Sequence, residues 1–242
     1  MERIFLRRRI GVLFCIVGIL TIISALSVFV FEPASEEASA SIQNDPVLMI
    51  DPGHGGEDGG AVAADGTLEA ELNLAVAQKL YGLAAFCGVQ TLMTRTGEHI
   101  DYPTDAATIS ARKTADQKQR VALINSIPNG ILISIHQNWY PTSGPHGAQV
   151  LYARNPESEA FGTLMHAKLI ESLDPENRRV AAPVSDDIYL MRNAQCPAVL
   201  IECGFLSNPE ELSRLKENAY QMKLGMLILS AYLDTFQTGW KQ

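Results

Sequence analysis

At 242 residues the chain is long enough for one domain of ordinary size with a buried core, and no repeat or second domain is visible. Net charge is −8 but unevenly spread: residues 1–31 carry four Arg against one Glu, +3, which leaves −11 for everything after Phe31. A domain that acidic is a poor match for a nucleic-acid backbone, so no nucleic-acid partner is expected.

The N-terminus reads first. Arg3, Arg7, Arg8 and Arg9 precede an uncharged, mostly aliphatic run from Ile10 to Phe31. Its 22 residues suffice to cross a bilayer as a helix, for which about 20 are needed. The basic cluster before it and Glu32, Glu36 and Glu37 after it place the N-terminus in the cytoplasm and the rest outside. Residues 1–31 are therefore expected to be an apolar helix, either a transmembrane anchor or a signal segment. Ala38-Ser39-Ala40 resembles a cleavage site, and both readings export the remainder of the chain. Residues 32–46 are small, polar and acidic and read as a flexible linker. The domain itself is expected over 47–242.

Within it, short apolar runs alternate with longer amphipathic ones. Val47–Ile50 predicts a strand running into Asp-Pro-Gly. Leu72, Val76, Leu80 and Leu83 sit at helical spacing and predict a helix over 69–86, stopped by Gly88. Val89–Met93 predicts a strand, 97–108 an irregular stretch, and 109–126 a second helix. Ile131–Ile135 and Ala148–Tyr152 predict strands, and 157–173 a third helix. Ile188–Met191 and Ala198–Ile201 are expected as short strands, and 209–236 as one or two closing helices. Such alternation predicts a single α/β domain with a mostly parallel central sheet flanked by helices. Outside the apolar run only Cys87, Cys196 and Cys203 remain, an odd number without a disulfide or metal-knot spacing, so each is expected to be a small buried residue.

In sheets of this kind chemistry gathers where strands end. His54 follows the first strand inside Asp51-Pro52-Gly53-His54-Gly55-Gly56, where glycines permit close approach of backbone and ligand. His136 follows Ile135, and Glu202 follows the apolar run Ala198–Ile201, where a carboxylate is costly without a cation or donors. Glu69 opens a helix, a position that also suits simple complementation of the helix dipole. Two His and two Glu thus converge on one rim, and a metal ion with a general base would account for all four. Arg95 and Arg120 stay open between substrate contacts and structural ion-pair partners. His99, His146 and His166 read as surface residues.

The segments MIDPGHGGEDGGAV, Glu69-x-x-x-Asn73-Leu74, ISIHQN and LIECGFLSNPEE resemble, in order, the zinc-dependent N-acetylmuramoyl-L-alanine amidase family. The resemblance runs from about Val47 to the C-terminus. It implies Zn2+ as cofactor, His54, Glu69 and His136 as its ligands, and Glu202 as the catalytic glutamate; Glu71 rivals Glu69, but Glu69 holds the matching place four residues before Asn73. It also implies a peptidoglycan substrate, cut between N-acetylmuramic acid and L-alanine. Asn138 and Arg192 stay open between substrate contacts and simply solvated side chains. The stretches ATISARKTADQKQRVALIN and IYLMRNAQCPAVLIECGFLSNPEEL are similar to the spore-cortex, germination-specific members of that family. That likeness implies action during sporulation, in the space between the forespore membranes, on the route to muramic lactam, with any accessory sporulation proteins unidentified. Two departures stand out: Trp139, where a small residue is commoner, would reshape the substrate groove, and Cys203 would face away from the metal. The competing readings are another exported zinc hydrolase, such as a peptidase or polysaccharide deacetylase, and a non-catalytic wall-binding protein.

Overall fold

The computed structural model describes residues 45–237, so the expected N-terminal helix of 1–31 and nearly all of the 32–46 linker lie outside the described residues. Among the described residues no helix is long and apolar enough to cross a membrane. The elements are β1 (Val47–Pro52), α1 (Glu69–Phe86), β2 (Thr91–Met93), α2 (Ile109–Asn125), β3 (Gly130–Asn138), β4 (Gln149–Tyr152), α3 (Pro156–Leu173), β5 (Ala182–Pro183), α4 (Tyr189–Asn193), β6 (Ala198–Phe205), α5 (Pro209–Leu215) and α6 (Asn218–Gln237).

Local chemistry sets most boundaries. Gly88, at φ +74, ends α1: its N–H bonds to the Ala85 carbonyl and the next, Val89, reaches back to Ala84. A residue with a Cβ is strained in that conformation, which is why glycine recurs at helix ends. Thr108 caps α2 by accepting from the Ala111 N–H, and Asn155 and Asn208 cap α3 and α5, each followed by a proline whose missing N–H costs nothing there.

The six strands form one sheet in the order β2-β1-β3-β6-β4-β5. Every pairing is parallel except β4 with β6, so the sheet is mixed though mostly parallel. Alternate strand residues face opposite layers. Leu48, Ile50, Ile133, Ile135, Val199 and Ile201 pack beneath α1, α3 and α6, together with Val76, Leu80, Met165 and Ile228. Met49, Leu132, Ala198 and Leu200 pack on the other face against Ile124, Leu190 and Met191 of α2 and α4.

Two expectations need correction. Ile188–Met191 is not a strand: the chain there turns into the short helix α4, with the Arg192 N–H bonded to the Ile188 carbonyl. A four-residue apolar run carries no periodicity long enough to separate a strand from a buried helical turn. Cys87 is exposed at the end of α1, not buried, whereas Cys203 is in the core. The two-residue strand β5 has too little sequence to announce itself.

Candidate metal centre and active site

The second face of the sheet changes character toward the strand ends. Beyond Met49, Leu132 and Leu200, the next residues on that face are Asp51, Ser134, His136 and Glu202, a polar row where the apolar core stops. His136 and Glu202 are Cα partners in the parallel β3–β6 ladder, and a bulge follows before Asn138 pairs with Phe205. Cys203, one residue on, points into the opposite core layer.

His54 and Glu69 join this row from the loop after β1 and the first turn of α1. His54 Nε2 lies 3.3 Å from Glu69 Oε2, and His136 Nδ1 lies 2.9 Å from Glu69 Oε1. The three residues offer ligand atoms all within 4.8 Å of one another, with the two rings edge to face at 5.1 Å between centroids. Glu71 is exposed, turned away from this cluster.

The donor set suits a borderline divalent cation such as zinc, which takes imidazole and carboxylate ligands at about 2.0–2.2 Å. A tetrahedron with such bonds has edges of about 3.4 Å, near the His54–Glu69 separation. The space is prepared as well. A Cβ on Gly53 would stand 2.3 Å from the His136 ring, and one on Gly60 would stand 2.6 Å from Glu69 Oε2. Beside the cluster, Glu202 Oε2 is buried and has no hydrogen-bond partner. Burial pushes the Glu202 carboxyl above its usual value, with His136 pulling it part of the way back and the Arg179 charge also felt there. An isolated buried carboxylate oxygen is costly, and a water or cation at the centre would relieve it.

The surrounding shell fixes the rings. Asp58 Oδ2 sits 2.9 Å from His54 Nδ1, which turns Nε2 toward Glu69. Burial disfavours a charged His54, but the Asp58 and Glu69 carboxylates outweigh it and raise its pKa to about 9. Burial likewise opposes ionisation of Glu69, yet the two imidazoles hold it well below the usual carboxylate range. Glu69 also accepts from the Ala61 and Gln137 N–H groups and from the Asn73 amide.

His54 itself has φ +60, an uncommon conformation for a residue with a side chain. Two buried arginines hold the loop in it. Arg120 donates to the carbonyls of Pro52 and His54 and pairs with Asp51 at 2.9 Å and Asp116 at 3.0 Å. Arg95 donates to the carbonyls of Pro52, Gly53, Ala70 and Gly97. Both arginines are therefore structural supports of the site. Asp51 further accepts from Thr94 and Ser134 hydroxyls at 2.6 Å each.

Asn138 lies at the rim two residues past His136, its Oδ1 accepting from the Trp139 N–H, and Trp139 is 49% exposed. Arg192 is not brought to the site. It lies in α4, before β6 begins, donating to the Asp186 carbonyl and stacked on Tyr189, near the end of the sheet opposite Glu202. His99 and His146 are exposed, but His166 is buried in α3 and lies 3.0 Å from the Arg179 carbonyl through Nε2.

The fold and the site define a class: an α/β domain with a candidate metal-binding triad at its strand ends and an unpartnered carboxylate beside it. The family described as N-acetylmuramoyl-L-alanine amidase matches residues 48–233, and the chain belongs to it. It is 37% identical over 191 residues to the germination-specific N-acetylmuramoyl-L-alanine amidase of Bacillus subtilis, covering 78% of this chain and 79% of that one. Among solved structures it is similar to the CwlD amidase from Clostridioides difficile in complex with the GerS lipoprotein, at TM-score 0.77 and 31% identity, covering 80% of this chain and 100% of that one. An N-acetylmuramoyl-L-alanine amidase from Clostridium difficile 630 matches at TM-score 0.70 and 25% identity, over 81% of this chain and 99% of that one.

Proposed function

We propose that the chain is an exported zinc amidase that hydrolyses the amide between N-acetylmuramic acid and L-alanine. In this reading His54, Glu69 and His136 hold the ion and Glu202 moves the proton. The observation that carries it is the Glu202 carboxylate oxygen, buried without a partner beside three converging ligand groups.

Zinc bound there supplies Lewis acidity, lowering the pKa of a water toward neutrality and polarising the scissile carbonyl. Glu202 accepts the proton of the attacking water and delivers it to the L-alanine nitrogen as the C–N bond breaks, since an amine leaves poorly unprotonated. In the metal-free site burial raises the Glu202 pKa above its usual value. Asp58 fixes the tautomer and direction of His54, and the Asn73 amide with the Gln137 N–H orients the Glu69 carboxylate. Asn138, at the rim, would contact the substrate in this reading.

The likeness to the germination-specific amidase supports a role in the spore cortex, where stripping stem peptides precedes formation of muramic lactam. The Arg-rich N-terminus and apolar run support action outside the membrane, anchored or secreted. The C. difficile relative's complex with a lipoprotein supports seeking a similar extracytoplasmic partner here.

The test is digestion of purified peptidoglycan, with and without chelator and with zinc restored, read by mass spectrometry. Peptides with a free L-alanine amine and glycan with intact lactyl groups are expected, lost with chelator and regained with zinc. L-alanine left on the sugar, released acetate, or no release at all would each overturn the reading, pointing to a peptidase, a deacetylase or a wall binder.

A further inference from the structure

The row of polar residues does not stop at Glu202. In the antiparallel β4–β6 pairing Glu202 stands directly opposite Gln149, so the two side chains share a face and lie about 5 Å apart at Cβ. Gln149 in turn holds a cation. Its Oε1 accepts from Arg179 Nε at 3.1 Å and from Nη2 as well, and its amide nitrogen donates to the Val180 carbonyl. The Arg179 guanidinium lies 4.9 Å from the centroid of the buried Phe205 ring. The backbone beneath it is tied down: the Arg179 N–H donates to the Asn177 side chain, Asn177 donates to the Ala148 carbonyl, and His166 meets the Arg179 carbonyl.

Everything that positions this guanidinium is neutral. Among the described residues no carboxylate lies within ion-pair distance of it, unlike Arg112, Arg120, Arg154, Arg178 and Arg214. A half-buried cation held by neutral groups, felt by Glu202 but ion-paired to no carboxylate, in a strongly acidic domain, is suited to meet an anion from outside. The planar fork favours a carboxylate, and the wall's sugar hydroxyls and acetamides offer none.

Building on the amidase reading, we propose that Arg179 is a specificity-determining residue that binds the free α-carboxylate of the stem-peptide residue following L-alanine. Gln149, which holds the guanidinium, stands on the strand next to Glu202, an interstrand step of about 4.8 Å that is comparable to one residue step of about 3.8 Å along the peptide.

The experiment uses the zinc-loaded full chain and two muramoyl tripeptides that differ only in this α-carboxyl, free or amidated. Wild type is expected to cleave the free acid with kcat/KM about 10- to 100-fold higher, carried mainly by KM, as a charge-assisted hydrogen bond of about 1.5–3 kcal/mol requires. Arg179→Ala brings the ratio toward one, and Arg179→Lys, a point charge without the fork, leaves an intermediate ratio. Equal cleavage of the two substrates by wild type overturns the proposal whether or not the variants fold. So does a folded Arg179→Ala that keeps the full preference. Failure to cleave either substrate would instead count against the amidase reading itself.

Discussion

His136 and Glu202 stand opposite each other as direct partners in the β3–β6 ladder, so an imidazole and a carboxylate share one face without either reaching the other's backbone. Glu202 lies beside the triad and outside it, so in the proposed reaction it would handle the proton of the attacking water and not serve as a ligand. Glu202→Gln keeps the size and the hydrogen-bonding edge and removes the base. Turnover is expected to fall about 10²- to 10⁴-fold while zinc per chain is unchanged. Metal analysis alongside kcat on a muramoyl peptide checks this. A variant that turns over at the parent rate removes Glu202 from the mechanism.

Asp58 acts one shell further out. Its carboxylate holds His54 Nδ1, and Lys113 pairs with the same oxygen at 2.8 Å. Asp58→Ala frees the ring to rotate and is expected to weaken zinc binding about 10- to 100-fold, with much smaller loss of turnover once zinc is saturating. Competition against a chromophoric chelator measures the affinity. Unchanged affinity would show that the Gly-rich loop alone orients His54.

What a single sequence reveals of this protein depends on the range of the interaction. The α1 helix, the strands around Ile50, Ile135 and Ile201, and the residues just beyond them carry local patterns, apolar periods broken by a polar residue, and those survive in a single sequence. Arg120 does not announce its role, because Asp51, its partner, lies 69 positions away and only the fold joins them. Arg179 and Gln149 belong to the same class: they meet because the segment entering β5 runs parallel beside β4, and a two-residue strand carries no pattern that reveals it. Asp58 comes closest to being legible, four residues after His54 in the same loop, but a carboxylate among glycines reads equally well as a turn residue. His166 reads as a surface residue and is buried because α3 turns it toward the loop that carries Arg179.

The Asp51–Arg120 pair makes part of the fold's stability sensitive to acid. Burial opposes the Asp51 charge, yet Arg120, Ser134 and Thr94 together hold its pKa below the ordinary 3.8. A carboxyl depressed in the folded state contributes its full stability above the unfolded value and loses it as pH falls through the folded one. The contribution is therefore complete at neutral pH and disappears below 3.8. Asp51→Asn leaves Arg120 with a neutral neighbour in a buried site and is expected to cost about 3–5 kcal/mol near pH 7. Urea unfolding of the metal-free protein across pH checks it. The gap between parent and variant should narrow as pH drops below 3.8, and a constant gap would assign the loss to packing instead.

Two glycines, Gly53 against the triad and Gly66 in the turn before α1, separate space from backbone strain. Gly53 has an ordinary backbone conformation, but a Cβ there would press on the His136 ring at 2.3 Å, with all three nearest atoms belonging to that ring. Gly66 has φ +88 and open space around the same position. Gly66→Ala is expected to cost about 1–2 kcal/mol of stability through the left-handed conformation alone and to leave zinc content intact. Gly53→Ala must instead move the imidazole of a proposed ligand, and zinc occupancy should fall more than stability does. Thermal melts of the metal-free proteins, paired with zinc titration, distinguish the two effects. If Gly53→Ala bound zinc as tightly as the parent, the His136 ring would have room to retreat, and its place in the triad would rest on geometry that the metal does not use.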